Sequence, residues 1–289
     1  MSTFTLKLLK TIAGVYKPDG REVTVLGEIA RLNKLYLPFL RAVGNAMGSE
    51  LRREEARYKW FLRNVVEVVE ALRGLDYALY KFRRPVEHVS VDLDVLVRVE
   101  HASRAARALV GRGFRVVVWE PYTLTLERGG FIVDLYTHPS FAWAVYMNGE
   151  RLLRCCAEEV DIYGARVRAL TRDAEVAVAA AHAVYKEHIV LLMDCLVAWS
   201  WMGRGVWDVA AEHRVEGAVE VLLEVCDLVR SGAVEAPHKL GPHVLAWVYL
   251  EKAVRDLVFR ATLPNIAKYI LSRRDGAKAV VMRLTRRSY

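Results

Sequence analysis

The chain has 289 residues, 54% of them apolar, and a net charge of +8 from 42 basic and 34 acidic side chains. That much apolar material supports one large domain or two ordinary ones and excludes wholesale disorder. The basic surplus suits an anionic partner such as a nucleotide or RNA without identifying it.

Residues 1–23 offer little beyond a turn signal at Lys17-Pro18-Asp19-Gly20. Met1–Lys10 lacks the long apolar core of a secretory signal, so the expected location is the cytoplasm. Leu26, Ile29, Leu32, Leu37 and Leu40 form an imperfect helical stripe over 24–43, with Pro38 kinking or ending it. Gly44 and Gly48 mark a break, and Ser49 is the expected cap of a stronger helix running to Leu72. Gly74 closes that helix, and Tyr77–Phe82 reads as a short strand leading into the basic loop Arg83-Arg84-Pro85.

Val89–Val99, VSVDLDVLVRV, reads as a buried strand with an acidic edge. A helix is expected over His101–Gly111. Strands follow at Phe114–Trp119, Tyr122–Leu126 and Phe131–Tyr136, the last two joined by a hairpin turn at Glu127-Arg128-Gly129-Gly130. The order from residue 49 to 136 predicts a mixed sheet flanked by helices, the heart of an α+β core over residues 49–170. Arg151–Cys156 and Arg166–Leu170 are expected to be short strands. From Thr171 the pattern is helical, with breaks at Gly203-Arg204-Gly205, Ser231-Gly232, Gly241-Pro242 and Pro264. This gives an N-terminal helical segment over 1–48 and a helical C-terminal domain of four or five helices over 171–289.

The most apolar run, Val176–Met202, is interrupted by His182, Lys186, Glu187, His188 and Asp194, and reads as a buried helix, not a membrane span. The four cysteines form no CxxC pair, which excludes a zinc ribbon. Cys195 and Cys226 fall on consecutive predicted helices and are expected to face each other. The absence of glutamine and the abundance of Arg, Glu and Val point to a thermophile, with codon bias as the alternative. The tail from Ser272 carries Arg273, Arg274, Lys278, Arg283, Arg286 and Arg287 against Asp275.

The chemistry starts from strand geometry. Side chains repeat every two residues, so Asp92 and Asp94 share a face. Two carboxylates side by side repel and lose hydration, which a fold tolerates when a cation sits between them. Asp134 lies in a second strand, FIVDLY. Together the three acids are candidate ligands for Mg²⁺, or Mn²⁺, ions that carry substrate phosphates.

SVDLDVLV, followed about forty residues on by FIVDLY, resembles the nucleotidyltransferases of the DNA polymerase β superfamily. The resemblance covers roughly residues 60–140. It implies transfer of a nucleoside monophosphate from an NTP to an acceptor: RNA such as tRNA, a protein or a small molecule. It also implies that Asp92, Asp94 and Asp134 hold the metals, and that Asp134 helps activate the acceptor hydroxyl. The family's glycine-serine turn is missing; Tyr80-Lys81-Phe82 stands there instead, as in an uncharacterised archaeal and bacterial branch that the chain resembles. A lysine offers phosphate a point charge where the turn would offer backbone N–H groups. The expected nucleotide-binding set is therefore Lys81, Arg83, Arg84 and Ser90 on the core side. Tyr185 and Lys186 would reach base or phosphate from the helical domain. Lys186 in so apolar a helix needs either a phosphate or a carboxylate such as Glu187 or Asp194. The alternative to an enzyme is a catalytically silent, toxin–antitoxin-like module of the same fold that binds a nucleotide or a partner. A basic RNA-binding protein is a third reading, weakened by the absence of RRM, KH or OB signatures.

Overall fold

The structure, a computed structural model, describes residues 3–162 and 164–286; Arg287 of the basic tail lies outside the described residues. Three helices open the chain: α1 (Phe4–Ile12), α2 (Gly20–Leu32) and α3 (Tyr36–Val43). A 3₁₀ turn at Gly44–Met47 leads to the long helix α4 (Gly48–Ala71). The α/β segment then runs β1 (Tyr77–Leu79), β2 (Asp92–Val97), α5 (Val99–Val110), β3 (Arg115–Trp119), β4 (Thr123–Arg128) and β5 (Phe131–Tyr136). Two-residue strands β6 (Ser140–Phe141) and β7 (Ala144–Val145) follow, then α6 (Gly149–Cys155), β8 (Ala157–Ile162) and β9 (Ala165–Leu170). The rest is mostly helical: α7 (Arg172–His182), a π-turn at Ala183–Glu187, β10 (Ile189–Val190), α8 (Leu192–Trp201), α9 (Arg204–His213) and α10 (Glu216–Ser231). It ends with β11 (His238–Lys239), α11 (Pro242–Arg255), α12 (Leu257–Thr262), α13 (Asn265–Ser272) and α14 (Gly276–Thr285). No helix among the described residues is long and apolar enough to cross a membrane.

The mixed sheet has seven strands in the order β3-β4-β5-β2-β1-β9-β8. The β2–β5 and β1–β9 pairs are parallel and the others antiparallel. Strand alternation sorts β2 and β5 cleanly. Leu93, Val95, Val97, Val133 and Leu135 pack under α4 and α5 with Phe61, Val65, Ala105 and Leu109. Leu96 and Tyr136 belong to the second core, which α1–α3 share with the C-terminal helices. Asp92, Asp94 and Asp134 have the same parity as Leu96 and Tyr136, so they share that second face.

Several local expectations are corrected. The helix expected over 24–43 is two helices, parted at Asn33–Leu35, where Lys34 takes a left-handed backbone (φ 59°). The buried Asn33 side chain donates to the Ile29 and Ala236 carbonyls and accepts from the Leu192 N–H, tying three distant segments together. Pro38 lies in the first turn of α3, where its missing N–H has no helical partner to lose. Ser49 does not cap α4; it sits inside the first turn and its hydroxyl bonds the Glu50 carboxylate at 2.6 Å. Arg151–Cys156 is mostly helix α6, because the Asn148 side chain accepts from the Arg151 N–H and starts a turn. The apolar run 176–202 is not one helix: it breaks at the π-turn and at His188, left-handed at φ 58°. The C-terminal region holds eight helices among the described residues, α7–α14, because Asp256 caps α12 and Pro264 precedes α13. Cys195 and Cys226 form a disulfide joining α8 to α10. Cys155 and Cys156 form a second one, between neighbours, which the sequence pattern did not suggest.

Candidate active site

The site grows out of one register. In the parallel β2–β5 pair, Asp94 lies opposite Asp134, with Asp92 two residues back on the same face. One carboxylate oxygen from each of Asp92, Asp94 and Asp134 lies within 4.8 Å of the others. Three acids this close lower one another's tendency to ionise unless cations intervene.

Cations do intervene. The strand expected over 77–82 stops at Leu79, and Lys81 adopts a left-handed backbone (φ 54°). A non-glycine residue held there is strained by about 1 kcal/mol or more. The turn carries Lys81 Nζ to 2.8 Å from Asp94 Oδ2, both side chains being largely buried. The other oxygen, Asp94 Oδ1, is buried with no hydrogen-bond partner. Ser90 Oγ donates to Asp92 Oδ1 at 3.1 Å, and Thr125 Oγ1 donates to Asp134 Oδ1. Lys186, on the π-turn, donates to the Tyr136 hydroxyl at 3.2 Å. It pairs with neither Glu187 nor Asp194 in the described contacts; Glu187 instead meets His182 Nε2 at 3.3 Å and Arg283 Nη1 at 2.5 Å.

Burial and charge pull these groups apart in acidity. Burial lifts the Asp94 carboxyl to about 6, with Lys81 opposing it and Asp92 and Asp134 adding to it. Burial also raises Asp134, with the Thr125 hydrogen bond opposing. At Asp92 burial is outweighed by Lys81, Lys34 and Lys186, and the carboxyl is held below its ordinary value. Burial and the neighbouring Lys81 bring the Lys186 ammonium down to about 7 and that of Lys34 down to about 8.

These groups line one cavity of about 610 Å³. It contains Lys81, Arg84, Ser90 and Lys186 from the expected nucleotide-binding set, together with all three aspartates. Two expected residues fall elsewhere. Tyr185 is packed among Tyr146, Tyr249 and Phe259, because the π-turn turns its ring into the helical core. Arg83 does not line this cavity: its guanidinium meets Glu158 and the Leu170 carbonyl, though it borders an adjoining cavity of about 320 Å³. That second cavity shares Lys81, Ser90, Asp92 and Asp94 with the first.

Other contributors escaped sequence reasoning. Glu175 is fully buried in α7, accepts the Phe82 and Arg83 N–H groups at 3.1 and 3.3 Å, and meets Arg84 Nη1 at 3.2 Å. It therefore moors the loop after Lys81 to the helical layer. An acid inside the alanine-rich stretch DAEVAVAAA was a readable signal, since a buried carboxylate needs partners. Lys34, Arg273 and Arg283 also line the cavity, from α2–α3, α13 and α14. Arg273 is tied to Glu120 at 2.9 Å, so the tail closes one wall. The basic tail marked Arg273 and Arg283 only as surplus charge, and nothing in the local sequence marks Lys34.

Fold and site together define a class: a mixed-sheet protein with a three-carboxylate, cation-ringed cleft. No family model matches the chain, and no curated protein matches it significantly. Two solved structures are similar to it at 16% identity and a TM-score of 0.34. One is a crystal structure of ANT(2'')-Ia with adenylyl-2''-tobramycin, covering 60% of this chain and 98% of that one. The other is a solution structure of the antibiotic-resistance factor ANT(2'')-Ia, covering 62% and 96%. A likeness that slight leaves the chemistry to be read from this chain's own residues.

Proposed function

We propose that this chain is a Mg²⁺-dependent nucleotidyltransferase that moves a nucleoside monophosphate from an NTP to an acceptor hydroxyl. The observation that carries the reading is the Asp92–Asp94–Asp134 cluster, its oxygens within 4.8 Å, on the wall of a cleft ringed by lysine and arginine. The residues suit the metal. All the donors are hard oxygens, and the unpartnered Asp94 Oδ1 lacks what a cation would supply. Bound Mg²⁺ would neutralise charge on the triphosphate and on the attacking oxygen.

The chain's own residues then have defined work. Asp92, Asp94 and Asp134 would hold the metal. Lys81 turns from Asp94 to the triphosphate, where Arg84, Ser90 and Lys186 join it as nucleotide-binding groups. The acceptor oxygen bonds to the α-phosphorus as the bond to the β-phosphate oxygen breaks, and pyrophosphate leaves. Asp134 would also take up the proton of the acceptor hydroxyl as it attacks. The smaller cavity reaches Asp92 and Asp94 and offers the acceptor an approach to the edge of the cluster.

The test is an assay with each NTP labelled at the α-phosphate, with Mg²⁺ or Mn²⁺, against pools of RNA, protein and small-molecule acceptors. Label transfer that disappears in Asp92→Asn is the expected result. If no NTP binds in calorimetry and no label moves, the reading is wrong. The alternative is a catalytically silent module of the same fold, in which Lys81, 2.8 Å from Asp94, stays a structural partner. Metal-dependent NTP binding without turnover against any acceptor would select it.

A further inference from the structure

A second cluster of ligand-type side chains lies on other elements, outside the cleft. Cys155 ends α6, and Glu212 and His213 end α9. One ligand atom from each, the sulfur, a carboxylate oxygen and an imidazole nitrogen, lies within 4.8 Å of the other two. His213 is 4% exposed, and its Nε2 is buried with no hydrogen-bond partner. A bare buried ring nitrogen is costly, so such atoms are normally satisfied. Cys155 and Glu212 are exposed, which leaves the cluster open to an ion and to water.

In this structure Cys155 is bonded to Cys156. A disulfide sulfur is not a useful ligand; a thiolate is. The donor set is therefore incomplete while the disulfide stands and complete once it is reduced.

We propose that Cys155, Glu212 and His213 form a redox-gated zinc site that becomes available when the Cys155–Cys156 disulfide is reduced. Sulfur, nitrogen and oxygen donors on a borderline-soft ion match the zinc preference, with water in the fourth position. Thiolate and carboxylate together carry two negative charges, which balance Zn²⁺ in a half-buried place. The electron count closes. A dithiol reductant gives two electrons and two protons to the disulfide and becomes a disulfide itself. Cys155 and Cys156 are left as thiols, and Cys155 releases its proton to solvent when zinc binds.

Co²⁺ serves as the probe, because a cobalt–thiolate bond gives a near-ultraviolet charge-transfer band that an oxygen-only site cannot give. The aspartate cluster is thus silent in the assay, and this inference stands or falls separately from the nucleotidyl-transfer reading. Oxidised wild-type protein should show no band. Protein reduced with a dithiol should show it, titrating to one ion per chain and bleached by Zn²⁺. Cys156→Ser, which frees Cys155 permanently, should show it without reductant. Cys155→Ser should abolish it, and Glu212→Gln and His213→Gln should each weaken Co²⁺ binding by roughly tenfold or more. Absence of the band in both reduced wild type and folded Cys156→Ser overturns the proposal. So does a band of unchanged affinity in His213→Gln.

Discussion

Replacing Lys81 by alanine tests the point at which the cleft departs from the glycine-serine pattern. The lysine has two roles to lose. In the protein alone it is the partner of Asp94, at 2.8 Å and largely buried. Deleting one member of a buried pair commonly costs about 3–5 kcal/mol, because the remaining charge is stranded. Asp94 has an escape. With its carboxyl already at about 6, protonating it at pH 7 costs only about 1–2 kcal/mol. Loss of Lys81 pushes it higher still, so protonation becomes cheaper. The expected destabilisation is therefore about 1–2 kcal/mol at pH 7, shrinking toward zero near pH 5. The second role is as phosphate anchor. Loss of one charged contact to a triphosphate should weaken NTP binding by about 1.5–3 kcal/mol, roughly ten- to a hundredfold. Denaturant melts at several pH values measure the first quantity, and calorimetric NTP titration with Mg²⁺ measures the second. Unchanged NTP affinity in a folded Lys81→Ala protein refutes the anchor and favours a silent module. A stability loss above about 3 kcal/mol that does not diminish with falling pH refutes the protonation argument.

Further outcomes follow from the same contacts. The Asp94 carboxyl is raised from 3.8 to about 6 by burial, so the folded chain binds its proton more tightly than the unfolded chain does. Its contribution to stability is greatest below pH 4 and is lost as pH rises through about 6. In metal-free protein, Asp94→Asn should therefore gain stability at pH 7, by at most ~3 kcal/mol, and gain little at pH 4; pH-resolved melts in a chelator read this, and an equal effect at both pH values contradicts it. Glu175→Ala strands Arg84 and removes the acceptor for two loop N–H groups. It should cost about 3–5 kcal/mol and speed hydrogen exchange at Phe82 and Arg83, whereas a wild-type melting curve would show that the loop is held by something else. Cys195→Ser opens a loop spanning 31 residues and should cost about 3–4 kcal/mol more under oxidising conditions than under reducing ones, where only the buried hydroxyl is felt. Four free thiols in non-reducing mass spectrometry would dispose of both disulfides.

Strand alternation made the acidic pair legible. Asp92 and Asp94 share a face in any β-strand because the pleat has period two, whatever the surroundings. The mixed sheet followed from the order of strand-like and helix-like runs between residues 49 and 136, and Lys186 was noticed because a lysine in an apolar run needs a partner. These are local constraints, and sequence carries them. The register that sets Asp94 beside Asp134 is not local: β2 and β5 are separated by a helix and two strands, and a one-residue slip would send Asp134 to the opposite face. Backbone detail also escaped. The left-handed turn at Lys81 aims its ammonium at Asp94, and the π-turn that presents Lys186 to the cleft buries Tyr185 in the core. Neither conformation has a distinctive residue pattern. Lys34, Arg273 and Arg283 reach the cleft from segments up to 249 residues apart in the chain. Their convergence depends on how the first helices and the last ones pack over one sheet face, and only the tertiary structure decides that.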